Sequence, residues 1–452
     1  MAVKFVIIGG GPAGNTAATN AARLGAEVTL VERDVIGGAA HLWDCIPSKT
    51  MIATGGAMSF SRRIEGMGLS HQDARLDLEV QRARIAEIEH HLQSQVTQLL
   101  SSQGVRMISG SARLAGPHQV IADTDTESIK LDADAILIAT GSRPRIPDWA
   151  QPDGTRVLTT RQAYPPPEMP AHLVVIGSGV TGVEFVHMFT SFGAKVTLIV
   201  SRQQVLPAKD PEVAAALEDE LLRRGVRLFK GARAEKIDIT GDTVEVHCDD
   251  GRVARGSHAL LAIGSIPNSD GLGLESAGIV TDGGYVPINH HCQSNLAHVY
   301  AAGDVSGKLP LSSVASMQGR KIAEHVMGIH SREHRHIDYE KAASAIFTEP
   351  EIADVGLAEA DAFATGRKIR VTKVPYAAAA KAMINDDTGG FVKIISDPAT
   401  GVVLGGSIVG RHAAELISVL ALAVTANLKV TDIVESCLAH PTLSEALAEA
   451  AE

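Results

Sequence analysis

Residues 3–8, VKFVII, form an apolar run that breaks at GGGPAG, after which an alanine-rich stretch continues to Leu24. A short apolar run bounded by turn residues predicts a buried strand, and the alanine-rich stretch predicts a helix. A second apolar run, EVTLVE at 27–32, completes a strand–helix–strand unit. The same order returns at 172–200 as HLVVIG, GSGVTG, a helical stretch to Phe192 and KVTLIV. Two βαβ units are therefore predicted, which points to an α/β fold.

Between them, Ile85, Ile88, Leu92, Val96 and Leu99 recur at three- and four-residue spacing and predict an amphipathic helix packed on a sheet. Prolines cluster at 143–153 (RPRIPDWAQPD) and 165–170 (PPPEMP), where neither a helix nor a central strand can continue, so a domain boundary is expected there. A second boundary is expected near 268. From about 338 the pattern changes to FVKIIS, GVVLGGSIVG, an apolar helix near 413–427 and a helical tail, which predicts a separate α+β domain.

Composition narrows the function. The chain has 452 residues, and at roughly 100–200 residues per domain about three domains are expected. Aromatic residues are only 4% and the net charge is −11, so a nucleic-acid partner is disfavoured and an anionic ligand must be gripped locally. The four cysteines, Cys45, Cys248, Cys292 and Cys437, are scattered and fit neither a disulfide framework nor a zinc spacing, which favours a reducing cytoplasm. The first residues lack a basic leader and no apolar run reaches 18, so neither export nor an integral membrane segment is expected.

In the first unit Gly9, Gly11 and Gly14 follow a strand and open a helix. That spacing lets the backbone approach a pyrophosphate at the helix N-terminus. Glu32, at the end of the next strand, is placed to accept ribose hydroxyls. The second unit repeats the glycines at 177, 179 and 182, but its strand ends in Val200, Ser201 and Arg202. A hydroxyl and a guanidinium in place of a carboxylate remove repulsion from a 2′-phosphate and add a charged partner, so NADPH is favoured there and NADH remains possible.

Two glycine fingerprints, then ILIATGSRP at 136–144, IGSIPN at 263–268, VYAAGDVSG at 299–307, FTEPEIADVG at 347–356 and HPTLSE at 440–445, resemble the flavoprotein disulfide reductases along the whole chain. The resemblance implies two Rossmann-like domains and a C-terminal domain that makes a homodimer. The FAD domain would span 1–146 and 269–337, the NAD(P)H domain 147–268 and the dimerisation domain 338–452. By motif match Asp304 binds the FAD ribitol, Thr140 and Gly141 close the nucleotide side, and Lys49 pairs with Glu184 near the flavin. The match extends the FAD contacts to Pro12, Ala13, Arg33, Gly38, Ala112, Leu311 and Ser312. It extends the nicotinamide-dinucleotide contacts to Val180, Thr181 and Gly264. His440 and Glu445 match an acid/base pair that the family carries on the partner subunit.

The family's redox stretch carries two cysteines five positions apart. Here it reads IGGAAHLWDCIPSKT, where Cys45 matches the second cysteine and Ala40 occupies the place of the first. A disulfide needs two sulfurs about 2.05 Å apart, so disulfide chemistry with dihydrolipoamide or glutathione is disfavoured. Cys437 is the one other cysteine near family active-site residues. The GGAA…DCIPSKT form and GSHALLAIGSIPNSDGLGLE at 256–275 resemble the NAD(P)H:quinone reductases of this family. That resemblance implies hydride transfer from NAD(P)H to FAD, then two electrons to a quinone. Cys45 then either tunes the flavin as a thiolate or packs as an inert thiol, and His440 either protonates the acceptor or holds the dimer interface. Rival readings are a soluble pyridine nucleotide transhydrogenase, which His41 and Trp43 resemble, a dihydrolipoamide dehydrogenase-like diaphorase, and a flavoprotein sensor.

Overall fold

The computed structural model describes residues 2–70, 74–329 and 336–452. The chain divides into two compact units, one gathering residues 1–48, 79–145 and 265–339, the other 49–78, 146–264 and 340–452.

In the first unit the run at the start of the chain is the strand Lys4–Ile8, near the middle of a five-stranded parallel sheet. Its neighbours are Glu27–Glu32 on one side and Ala135–Ile138 on the other, with Arg106–Ser109 and Val299–Ala301 at the edges. Because side chains alternate along a strand, Phe5 and Ile7 pack on one face with the helices, while Val6 and Ile8 pack on the other. The helices Pro12–Arg23 and Ser312–Val326 meet closely at Gly319, where a Cβ would lie 2.2 Å from the carbonyl oxygen of Ala13. An antiparallel meander, Ser111–Gly116, Gln119–Asp123 and Ser128–Asp132, covers the other face.

The predicted amphipathic helix is Leu78–Ser102, with Ile85 and Leu100 buried. Leu99 is 43% exposed, contrary to the predicted stripe. Its neighbour Leu100 takes the inward position instead.

The second unit repeats the parallel sheet in the order Arg227–Lys230, Lys195–Val200, His172–Ile176, His258–Leu261, Val157–Thr159. It also holds a five-stranded antiparallel sheet built from Ser344–Ile346, Ile352–Gly356, Val403–Val409, Phe391–Ser396 and Arg370–Pro375. The helix Ala413–Ala426 packs against that sheet through Ile417, Leu420 and Val424. A buried lysine, Lys393, sits between the Glu212 and Glu359 carboxylates at 2.5 and 2.8 Å, tying the antiparallel sheet to the helix Pro211–Arg223. Among the described residues no helix is long and apolar enough to cross a membrane.

Candidate active site

The first cradle starts from backbone sterics. Gly9 has φ +107, and a Cβ there would lie 2.3 Å from the Ala139 carbonyl oxygen, so only glycine fits. A Cβ at Gly14 would lie 2.0 Å from the Gly9 carbonyl oxygen, so the helix can leave the strand this tightly only without one. Gly11 is the N-cap of the helix Pro12–Arg23, and no side chain caps it. The helix N–H groups therefore face outward as an anion site. Pro12 opens the helix, Ala13 is buried beneath it, and Gly38, with φ +87, brings its backbone against Gly11.

Glu32 is gripped at the strand end, with Oε2 accepting from the Gly10 N–H at 2.6 Å and Oε1 from the Asp34 N–H at 2.8 Å. An ionised carboxylate accepts about four hydrogen bonds, so capacity remains for ribose hydroxyls. Arg33 points to solvent and pairs with Asp34 at 3.6 Å. Thr140 and Gly141 lock onto Asn268: Thr140 Oγ1 donates to the Asn268 carbonyl at 2.6 Å and Asn268 Nδ2 donates to the Thr140 carbonyl at 2.9 Å. Asp304 Oδ2 accepts from Ser142 Oγ at 2.6 Å. Ala112 is half-buried on the meander, and Leu311 and Ser312 open the helix Ser312–Val326.

Two buried polar atoms in this unit, Asn15 Oδ1 and His41 Nδ1, lack a hydrogen-bond partner. Such groups are rare unless a ligand or water meets them. The glycine cradle, the carboxylate at the strand end and these orphaned atoms together fit an FAD-type dinucleotide. Burial also holds His41 below the ordinary histidine value, which favours its neutral ring.

The second cradle repeats the geometry within the other unit. Gly177 has φ +109 with a would-be Cβ 2.2 Å from the Ala262 carbonyl oxygen, and one at Gly182 would lie 1.9 Å from the Gly177 oxygen. Gly179 caps the helix Val180–Ser191, again with no side-chain cap, and Val180 and Thr181 form its exposed first turn. Gly264 is exposed with φ +90. Ser201 and Arg202 are exposed beyond the strand Lys195–Val200, and Arg202 lines a groove of about 480 Å³ with Gln203, Gln204, Pro207 and Ala208.

The single-sulfur stretch folds as one π-type turn, Ala40–Cys45, running into the helix Ile46–Arg63. The Ile46 N–H donates to the His41 carbonyl, a bond spanning five residues. Wider turns of this kind recur at functional sites, and this one sets Ala40 and Cys45 about one turn from each other. No disulfide joins any two of the four cysteines. Cys248 lies in the core of the second unit, with its thiol pushed up by burial. Cys292 lies in the core of the first, where burial pushes its thiol up to about 11. Cys437 is exposed.

Lys49, further along the same helix, meets Glu184 at 2.8 Å, with the Glu184 side chain 6% exposed. The other Glu184 oxygen accepts from the Phe347 N–H at 3.0 Å, and the Lys49 ammonium stands 4.9 Å from the Phe347 ring centroid. No sequence rule marks Phe347 for this task, although it sits in the motif FTEPEI. Near the C-terminus, His440 Nδ1 lies 2.7 Å from Glu445 Oε1, and the Thr442 N–H donates to the other oxygen at 2.9 Å. The Thr442 amide, and then His440, hold the Glu445 carboxyl below its ordinary range. Because an ionised carboxylate only accepts, Nδ1 carries the proton, and Nε2 is directed away from the pair.

Comparison with known proteins agrees with this geometry. Residues 3–319 match the family described as pyridine nucleotide-disulphide oxidoreductase, and residues 342–451 match its dimerisation domain. A protein of Mycobacterium tuberculosis named NAD(P)H dehydrogenase (quinone) is 41% identical over all of this chain and 94% of its own length. A dihydrolipoyl dehydrogenase of Zymomonas mobilis is 36% identical over 98% of this chain and 96% of its own length. Among solved structures, LpdA from Mycobacterium tuberculosis superposes with a TM-score of 0.94 at 41% identity, covering 99% of each chain. The Cu(II) complex of the flavoprotein disulfide reductase RclA from Escherichia coli gives 0.89 at 26% identity, covering 100% of this chain and 99% of that one. Two glycine cradles, a single-sulfur redox turn and a matching C-terminal domain thus occur together in one oxidoreductase chain, which belongs to the FAD- and NAD(P)H-dependent pyridine nucleotide-disulphide oxidoreductase family.

Proposed function

We propose that this chain is a homodimeric, cytoplasmic NAD(P)H dehydrogenase that reduces quinones without a redox disulfide. Alanine at position 40 carries the proposal, because the turn that holds Cys45 offers one sulfur where disulfide chemistry needs two. The name of the M. tuberculosis relative supports the quinone. Domain boundaries near 146, 268 and 337 belong to the same proposal.

When bound, FAD supplies the two-electron relay between nicotinamide and acceptor. The protein's share is positioning and charge. Glu32 orients a ribose through the acceptor capacity left on its clamped carboxylate. Asp304, steadied by Ser142, holds the ribitol end. Lys49 keeps its ammonium fixed because Glu184 is itself clamped by the Phe347 amide, so the ion pair does not rearrange. Arg202 and Ser201 recognise a 2′-phosphate, which makes NADPH the preferred donor. His440, oriented by Glu445, is the proton carrier for a reduced acceptor at the dimer interface.

The test is donor oxidation by purified holoprotein with NADPH and, in turn, a menadione-type quinone, thio-NAD⁺ and lipoamide. Quinone turnover well above the other two is expected. Fast lipoamide reduction contradicts the proposal, and thio-NAD⁺ turnover above quinone turnover favours a transhydrogenase.

A further inference from the structure

The first unit carries a histidine cluster that takes no part in either cradle. His290 and His291 occupy a turn that Asn289 fixes: its Oδ1 accepts from the His291 and Gln293 N–H groups at 2.8 and 3.0 Å, and the Cys292 N–H donates to its carbonyl at 3.0 Å. His336 arrives from a distant part of the chain and precedes Ile337, which packs on the core. Ring centroids lie 4.2 Å apart for His290 and His291, 4.5 Å for His290 and His336, and 4.9 Å for His291 and His336. One nitrogen from each of the three lies within 4.8 Å of the other two. In a tetrahedral site with metal–nitrogen bonds of about 2.0–2.1 Å, ligand nitrogens stand about 3.3 Å apart. Small side-chain rotations close that gap.

We propose that His290, His291 and His336 form a three-histidine site for a borderline divalent transition-metal ion, of which zinc is the probe here. Imidazole nitrogens suit zinc, nickel and copper and are poor ligands for magnesium or calcium, which take oxygen. His325 acts as a positioning residue: its ring stacks on His291 at 4.5 Å with an interplanar angle of 25°, and its Nδ1 lies 2.8 Å from the Tyr300 hydroxyl. Cys292 follows His291 directly but is 2% exposed within the core, so it contributes no ligand. His290 and His336 are exposed, and among the described residues no fourth protein ligand joins the three. The bound ion ties the turn at Asn289 to residue 336 and stabilises the unit, because it binds the folded chain and has no preformed site in the unfolded one.

The test uses untagged, chelator-washed holoprotein with FAD bound, titrated with zinc chloride by calorimetry, alongside thermal unfolding with and without one equivalent of zinc. One ion per subunit and a raised unfolding temperature are expected, with magnesium giving neither. The substitutions His290→Gln and His336→Gln should each weaken zinc binding at least about tenfold, since even loss of an outer-shell partner has that effect. Both should abolish the thermal shift while flavin content and NADPH oxidation without zinc stay unchanged, which shows the variants are folded. The substitution Cys45→Ser should leave zinc stoichiometry intact. Equal zinc affinity in the doubly substituted protein, loss of zinc in Cys45→Ser, or no stoichiometric uptake by the parent protein overturns the proposal.

Discussion

The two glycine cradles are almost the same object in backbone terms. Their first glycines have φ +107 and +109, their third glycines would place a Cβ 2.0 and 1.9 Å from the carbonyl oxygen of the first glycine in each, and their N-caps share φ and ψ to within a few degrees. They part at the end of the second strand. There Glu32 is drawn back onto the Gly10 amide at 2.6 Å, whereas Ser201 and Arg202 stand exposed. On the proposed function, backbone sterics hold a dinucleotide at each cradle, and one or two side chains at a strand end choose which one.

The largest effect should come from breaking either cradle at its tightest point. The substitution Gly14→Ala should yield protein that loses FAD during purification, read from the ratio of flavin to protein absorbance. The substitution Gly182→Ala should keep its flavin and raise the KM for NADPH by about 10–100-fold, because forced overpacking is worth about 1–3 kcal/mol. The reverse pattern would dissolve the assignment of cradles to cofactors. Next, Glu32→Ala should weaken FAD binding by about 10–100-fold, given about 1.5–3 kcal/mol for hydrogen bonds to a charged group. Equilibrium dialysis of the flavin measures it. The substitution Arg202→Ala should then raise the KM for NADPH about tenfold and leave NADH unchanged, a selective loss of one charge-assisted contact. Equal effects on both donors would make Arg202 a solvated bystander.

An effect on stability, not on binding, separates the cradles by pH. The helix Val180–Ser191 carries His187, which burial and the neighbouring Arg224 push down to about 3. Arg224 donates to His187 Nδ1 at 2.9 Å, which requires the neutral ring. Unfolded histidine binds its proton near pH 6.5. Below that value the unfolded chain takes up a proton that the folded chain refuses, so the contribution is complete above about pH 6.5. It is lost as pH falls toward about 3, by at most about 1.4 kcal/mol per unit. The helix Pro12–Arg23 has no histidine or carboxylate and no such slope. The substitution His187→Gln should flatten the loss of urea resistance between about pH 6.5 and 5; an unchanged slope would place the acid sensitivity elsewhere.

Much of this arrangement is legible in the chain because its signals are local. Glycine spacing, strand runs and the residue ending each second strand all lie within about thirty positions of one another. The Lys49–Glu184 pair and the His440–Glu445 pair were expected through motif resemblance, and each is found in hydrogen-bond contact. What stayed hidden is non-local or has no sequence mark. Phe347 reaches Glu184 across 163 positions through its backbone, which has no side-chain signature. Ser142 and Asn268 lie in motifs that named them without assigning a partner, yet they fix Asp304 and Thr140. The π-type turn at Ala40–Cys45 is written in the same helix-forming residues as an ordinary turn. Leu100 rather than Leu99 points inward, a choice between two adjacent leucines that residue type does not mark.

On the proposed function electrons stop at the flavin, since the redox turn carries one sulfur. Anaerobic titration of the FAD-loaded protein with excess dithionite, followed by flavin absorbance and thiol counting, tests it most directly. Uptake of about two electrons per subunit, with no new thiols appearing, is the predicted result. Uptake of about four, with two thiols gained, would reveal a hidden sulfur couple and contradict the account.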